Sequence, residues 1–257
     1  MEGASISLYN SLLCPDRFSA NREISSEEWN TSIVCIAWVT LTNGRREFLS
    51  ATRTSWYEKM TGQISKEIIV DDSGSFEYRS WLEKTFPTAE VIPAGTEALG
   101  FARAMQRCFD EALHSGCDYV FHLEDDFKLN EYLDLDKLHH ILKENPSLSQ
   151  LVLQRNRWYL PEFEFDTLLQ AVMSSGVKLT ERQSGNHTYL EQTDWWSCNP
   201  NIYPIDIARL GWVIEEDSER KFSKKVFSQG YKSAFYGSPD KDSFVEHIGR
   251  YRAGYDY

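Results

Sequence analysis

Asp118-Tyr119-Val120-Phe121-His122-Leu123-Glu124-Asp125-Asp126-Phe127 is the stretch on which the reading of this chain turns. An apolar, β-prone run passes directly into three consecutive carboxylates, and Phe127 closes the group. Adjacent acids repel one another, so at the end of a buried strand they need solvent or a cation to offset their charge. Magnesium and manganese suit such a place. Both take oxygen ligands, are commonly held by one or two carboxylates, and complete their shells with water and substrate phosphate. Taken alone, Glu-Asp-Asp reads equally well as an acidic, solvated turn.

The residues upstream repeat the same theme. Ile33-Val34-Cys35-Ile36-Ala37-Trp38-Val39 is a continuous apolar run of the kind found in strands buried on both faces. It ends in the turn signal Thr40-Leu41-Thr42-Asn43-Gly44, and residues 45–60 place Phe48, Leu49, Thr52, Trp56 and Met60 on one helical face, with Gly62 beyond as a stop. A second strand, Glu67-Ile68-Ile69-Val70, runs into Asp71 and Asp72. Ser75 is placed to cap a helix over 76–86 that Pro87 ends, and Pro93 marks Val91-Ile92-Pro93 as an edge strand. Thr96 is the expected cap of a long helix in which Leu99, Ala102, Met105, Phe109, Ala112 and Leu113 recur at three and four residues. Strand and helix alternating with short connections predict an α/β sheet with right-handed crossovers, whose ligands bind outside the carboxyl ends of the strands. Both acidic clusters fall at such ends.

The second half is less regular. A helix over 133–142, a strand at 151–153, a charged helix over 218–230 with Phe222, Val226 and Phe227 inward, and a strand over 232–236 are predicted. Between them lie Arg155, Arg157, Trp158, Tyr159, Trp195, Trp196, Asn199, Tyr203 and Trp212. Aromatic faces beside amides suit sugar rings, and a small satellite core suits them equally. With 257 residues, no repeats and no linkers, one domain over 31–257 behind an N-terminal arm over 1–30 is the simplest organisation.

Bulk composition narrows the partners. The 27 Lys and Arg against 39 Asp and Glu leave a formal charge of −12, which opposes non-specific binding to nucleic acid or anionic membrane. No apolar run approaches a membrane span and the N-terminus lacks the features of a signal peptide, so a cytoplasmic setting is expected. Five scattered cysteines without a C-x-x-C pair suggest buried reduced thiols and argue against zinc.

Together these motifs resemble GT-A fold glycosyltransferases, most nearly glycosyltransferase family 2, over roughly 33–247. Ile68-Ile69-Val70-Asp71-Asp72-Ser73-Gly74 resembles the family's second-strand motif, in which an acid contacts the base or ribose of a nucleotide-sugar. Gly100-Phe101-Ala102-Arg103-Ala104 resembles the small-residue segment ahead of the metal strand. Phe121-His122-Leu123-Glu124-Asp125-Asp126 resembles the strand carrying a D-x-D-type motif, with a Glu in the first acidic position. The resemblance implies a metal-dependent, inverting transferase with a nucleotide-sugar-binding half over 31–130 and an acceptor-binding half over 131–257. Asp126 and His247 would hold Mn2+ or Mg2+. Asp71, Asp72, Arg103, Glu124, Asp125 and the turn residues Thr40, Asn43 and Arg45 would line the donor site. Glu219 is the expected base, with Glu216 and Asp217 as neighbouring candidates.

Those residue types match the chemistry. A nucleoside diphosphate leaving group needs its developing charge stabilised, and an acceptor hydroxyl needs a base on the opposite face of the sugar. Arg250 and Arg252 stand where they would clamp phosphate or simply add surface charge. The acceptor is read as a protein, saccharide or small molecule. A modified DNA base is the alternative, through a basic face made of Arg155, Arg157, Lys221, Lys224 and Lys225. A nucleotidyltransferase and an inactive nucleotide- or glycan-binding module are the other readings.

Overall fold

The computed structural model describes residues 34–241 and 243–249; the expected N-terminal arm, Arg250 and Arg252 lie outside the described residues. In chain order the strands are β1 (Ile36–Thr42), β2 (Met60–Thr61), β3 (Lys66–Asp71), β4 (Glu90–Pro93), β5 (Tyr119–Glu124), β6 (Phe127–Leu129), β7 (Leu133–Asp134), β8 (Leu148–Leu153), β9 (Thr180–Ser184), β10 (His187–Gln192), β11 (Asn201–Pro204), β12 (Lys232–Tyr236) and β13 (Val245–His247). The helices are α1 (Arg46–Lys59), α2 (Phe76–Thr85), α3 (Phe101–His114), α4 (Leu135–Glu144), α5 (Leu168–Ser174), α6 (Ile205–Arg209) and α7 (Ser218–Ser228).

A nine-stranded mixed sheet in the order β4-β3-β1-β5-β11-β8-β12-β10-β9 forms the centre. Strands β4, β3, β1 and β5 pair in parallel, whereas β11 runs antiparallel to both β5 and β8. All seven residues of β1 are buried, as its unbroken apolar run predicts for a strand covered on both faces. Trp56 of α1 and Leu135, Leu138, Ile141 and Leu142 of α4 pack one face. On the other, Ala104, Met105, Cys108, Phe109 and Ala112 of α3 meet Ile207 of α6 and Phe222 and Val226 of α7. Trp196, Tyr203 and Trp212 join this second core, so these three aromatics pack internally rather than offering faces to a sugar.

Local signals act largely as read. The Ser75 side chain accepts the Tyr78 N–H at the start of α2, and β4 with Pro93 lies at the sheet edge. Helix α3 is an exception: it starts at Phe101 behind Gly100 (φ 80°) rather than at Thr96. Asp72 is the reason, since its carboxylate accepts the N–H groups of Leu99 (2.7 Å) and Gly100 (3.1 Å). The cysteines are a second correction. Cys35 and Cys117 precede two parallel neighbours whose register pairs Ile36 with Tyr119, which brings their Cα atoms to 4.6 Å, and a disulfide joins them. Cys108 and Cys198 are free and buried. Among the described residues no helix is long and apolar enough to cross a membrane.

Candidate active site

Because β11 is antiparallel to both its neighbours, β8 runs the same way as β5, and β12 runs with β8. The carboxyl ends of β1, β3, β4, β5, β8 and β12 therefore share one edge. Helix α1 fixes the acidic tip of β5 there. Thr52 Oγ1 donates to the Asp125 carbonyl (3.0 Å), Trp56 Nε1 donates to the Phe127 carbonyl (2.8 Å), and Ser55 Oγ accepts the Leu129 N–H (2.9 Å).

The two aspartates at that tip have different surroundings. Asp125 faces the β1–α1 turn, where its carboxylate accepts from Thr42 Oγ1 (2.8 Å), the Asn43 N–H (3.4 Å) and the Arg45 guanidinium. Burial pushes its carboxyl above the ordinary range while Arg45 opposes that shift. Asp126 is fully buried, with Arg45 Nη1 at 2.8 Å and His247 Nε2 at 3.3 Å from its Oδ2. The structure thus brings Asp126 and His247 together across a sequence gap of more than a hundred residues.

Strand β13 makes that meeting possible. It pairs antiparallel with β6, setting His247 opposite Phe127, while Asn156 Oδ1 accepts the His247 N–H (2.8 Å). The imidazole stacks on Phe127 (ring centroids 4.4 Å, interplanar angle 11°) and packs against Trp158 (4.2 Å). The Asp126 carbonyl accepts the Ile248 N–H (2.9 Å), and Gly249 then passes so close to the Asp126 carboxylate that a Cβ there would lie 2.8 Å from its Cγ.

Other expected donor-site residues occupy varied places. Asp71 is buried, accepts the Ser73 N–H (2.9 Å) and lies 3.6 Å from Arg79 Nε. Asp72 spends both carboxylate oxygens on the start of α3. Glu124, half-buried, ends β5 opposite Leu41, Asn43 is exposed in its turn, and Arg103 is exposed in the first turn of α3. Thr40 is corrected from a wall residue to an internal one: it is fully buried and accepts from Arg53 Nη1 (3.0 Å).

On the far side of β5, buried Asn201 donates to the carbonyls of Ser197 (3.1 Å) and Asn199 (2.7 Å), shaping the loop that leads into β11. The Cys198 N–H of this loop donates to Glu219 Oε1 (3.0 Å). Glu219 is exposed in the first turn of α7, and desolvation by the neighbouring protein raises its carboxyl above the ordinary range while its bonds to Cys198 oppose the shift. Glu216 and Asp217 are exposed in the turn before α7, where Asp217 adopts a left-handed conformation (φ 53°). The expected basic face is also corrected. Arg155 is buried and held by Glu162 through two bonds of 2.8 and 2.7 Å, Arg157 donates to the Phe165 carbonyl, and Lys221 pairs with Glu215 at 2.6 Å.

Asn156, Cys198 and Gly249 touch the expected site residues His247, Glu219 and Asp126, and sequence reasoning missed them. Only Gly249 carried a signal, as a glycine two residues beyond the expected metal histidine. Among the described residues no group of three or more His, Cys, Asp or Glu is placed to hold a metal ion. Asp126 and His247 offer two donors 3.3 Å apart, close to the ~3 Å between neighbouring ligands of a small octahedral cation. They fit an ion that takes its remaining ligands from water and phosphate.

No protein-family model matches the chain, and no curated protein matches it by sequence. Among solved structures the chain is similar to S. aureus TarS 1-349, with 12% identity and a TM-score of 0.55 over 84% of this chain and 61% of that one. It is similar to the complex of that protein with UDP (12%, 0.54, 83% and 60%) and to its complex with UDP-GlcNAc (12%, 0.55, 86% and 62%). The chain spans about three fifths of the length of those structures. At such identity the likeness shows the fold, and the fold is the one expected: an α/β GT-A arrangement with a central mixed sheet flanked by helices.

Proposed function

We propose that this protein is a metal-dependent, inverting glycosyltransferase, most like family 2, that moves a sugar from a nucleotide-sugar to the hydroxyl of a protein, saccharide or small molecule. One observation carries the reading: Asp126 and His247, distant in sequence, meet at the carboxyl edge of a nucleotide-sugar-transferase fold. The solved neighbours with UDP and UDP-GlcNAc make a uridine diphosphate sugar the first donor to try. Asp126 and His247 would hold Mn2+ or Mg2+, whose chemistry there would be to offset the charge of the leaving group.

The chain's own residues supply the rest. Asp126 and His247 hold one end of the donor, while Asp71, Glu124 and Arg103 stand at the strand and helix ends around it. Glu219 takes the proton of the acceptor hydroxyl as attack proceeds. Its raised affinity for protons brings it nearer the working pH than an ordinary carboxylate. One base, no covalent intermediate and in-line displacement predict inversion at the anomeric carbon. A cytoplasmic setting remains part of the proposal.

A panel of nucleotide-sugars with manganese, scored for released nucleoside diphosphate and for the anomeric configuration of the product, tests this. Diphosphate release from one donor, dependent on the metal and on Asp126, is the expected result. Pyrophosphate release from a nucleoside triphosphate would assign a nucleotidyltransferase instead.

A further inference from the structure

Arg45 stands where a divalent cation would be needed. Its guanidinium spans both aspartates: it pairs with Asp125 through Nη2, and its Nη1 lies 2.8 Å from Asp126 Oδ2. That same oxygen faces His247 Nε2 at 3.3 Å. A buried carboxylate needs a positive partner, and here arginine supplies it. A cation bound by Asp126 and His247 would meet the guanidinium at this oxygen, two positive charges competing for one ligand.

The surroundings make the arginine replaceable at that position. Asp125 keeps the Thr42 hydroxyl and the Asn43 N–H whether or not Arg45 stays. Arg45 immediately precedes α1, so its backbone is anchored while its side chain stays 18% exposed beside the Phe48 ring. A guanidinium also matches diphosphate oxygens in a fork that an ammonium cannot reproduce.

We propose that Arg45 is an exchangeable counter-ion, which neutralises Asp126 in the ligand-free protein and yields it to the divalent cation when a nucleoside diphosphate takes the guanidinium. This rests on the donor-binding reading above. Metal and nucleotide then bind synergistically, and reciprocity requires each to raise the affinity for the other by the same factor.

Mn2+ binding to the full chain, followed by the spin-resonance signal of free Mn2+ with and without UDP, tests the exchange without recourse to activity. UDP should tighten Mn2+ binding to the wild-type protein by about tenfold or more. In Arg45→Gln, Mn2+ alone should bind about tenfold tighter than to wild type, and the further gain from UDP should shrink to about threefold or less. Arg45→Lys keeps a charge but cannot bridge both carboxylates, so its coupling should fall between the two. It decides the matter should Arg45→Gln fail to fold. Unchanged Mn2+ affinity and unchanged coupling in the folded variants would overturn the exchange while leaving donor binding intact. A wild-type protein that takes up neither Mn2+ nor UDP would overturn the donor reading, and the exchange with it.

Discussion

The parallel half of the sheet, β4 to β5, and the half beyond β11 treat their polar groups in opposite ways. In the parallel half, three of the acids at the strand ends are taken up by the fold. Asp72 holds the start of α3, Asp71 closes its own turn, and Asp125 ties down the β1–α1 loop. The second half brings side chains to the same edge on a loop, a helix start and a tail strand, and leaves their functional atoms less committed to the sheet. Glu219 takes a backbone N–H on one oxygen and keeps access to solvent, and His247 points its Nε2 at Asp126. One half builds the floor of the site and contributes Asp126, and the other adds the carboxylate of Glu219 and the imidazole of His247.

Substitutions on the two sides should therefore separate stability from transfer. Glu219→Gln should lower transfer by about two to four orders of magnitude with donor affinity and stability unchanged, as measured by single-turnover rates and UDP titration. In the wild type, transfer should fall on acidification as Glu219 takes up a proton, at a pH above the ordinary carboxylate range. Asp125→Ala should act the other way, costing about 3 kcal/mol in urea denaturation because the Thr42 hydroxyl and the Asn43 N–H lose a buried acceptor while Arg45 keeps Asp126.

His122 offers a test on pH. Both ring nitrogens are buried without a hydrogen-bond partner among the described residues, and burial lowers its pKa to about 4. Between that value and the unfolded value near 6.5 the unfolded chain binds the extra proton, so stability falls as pH drops through this window, by about 3 kcal/mol. His122→Leu should remove that part of the pH dependence, read as denaturation midpoints at pH 7 and 4.5. Asp72→Ala should have the smallest effect, about 1–2 kcal/mol, from loss of the acceptor for Leu99 and Gly100.

The same contrast explains what was legible in the sequence. Buried parallel strands are written as continuous apolar runs, so β1, β3 and β5 could be read directly from residues 33–39, 67–70 and 119–123. The β9–β10 hairpin, with Thr180-Glu181-Arg182-Gln183-Ser184 as its polar outer strand, and the four-residue β11 have no such signal. Their place is set by pairing with strands distant in sequence. Among the site residues, Asp126 and His247 could be proposed from motif and order. Which neighbouring carboxylate would be spent on structure could not, because Asp71, Asp72 and Asp125 differ only in the N–H groups, hydroxyls and guanidinium that the folded chain turns toward them. The Cys35–Cys117 bond was hidden for a related reason: only the register of β1 against β5 brings residues 82 apart in sequence side by side.

The most direct test is a double-mutant cycle on Mn2+-dependent UDP affinity with Asp126→Asn, His247→Gln and the pair combined. If the two side chains hold one ion, each single change should abolish most of the metal-dependent gain, and the double variant should lose little more, a coupling of at least about 1 kcal/mol. Strictly additive losses, or a metal-dependent gain that survives both changes, would mean that they do not form a single site.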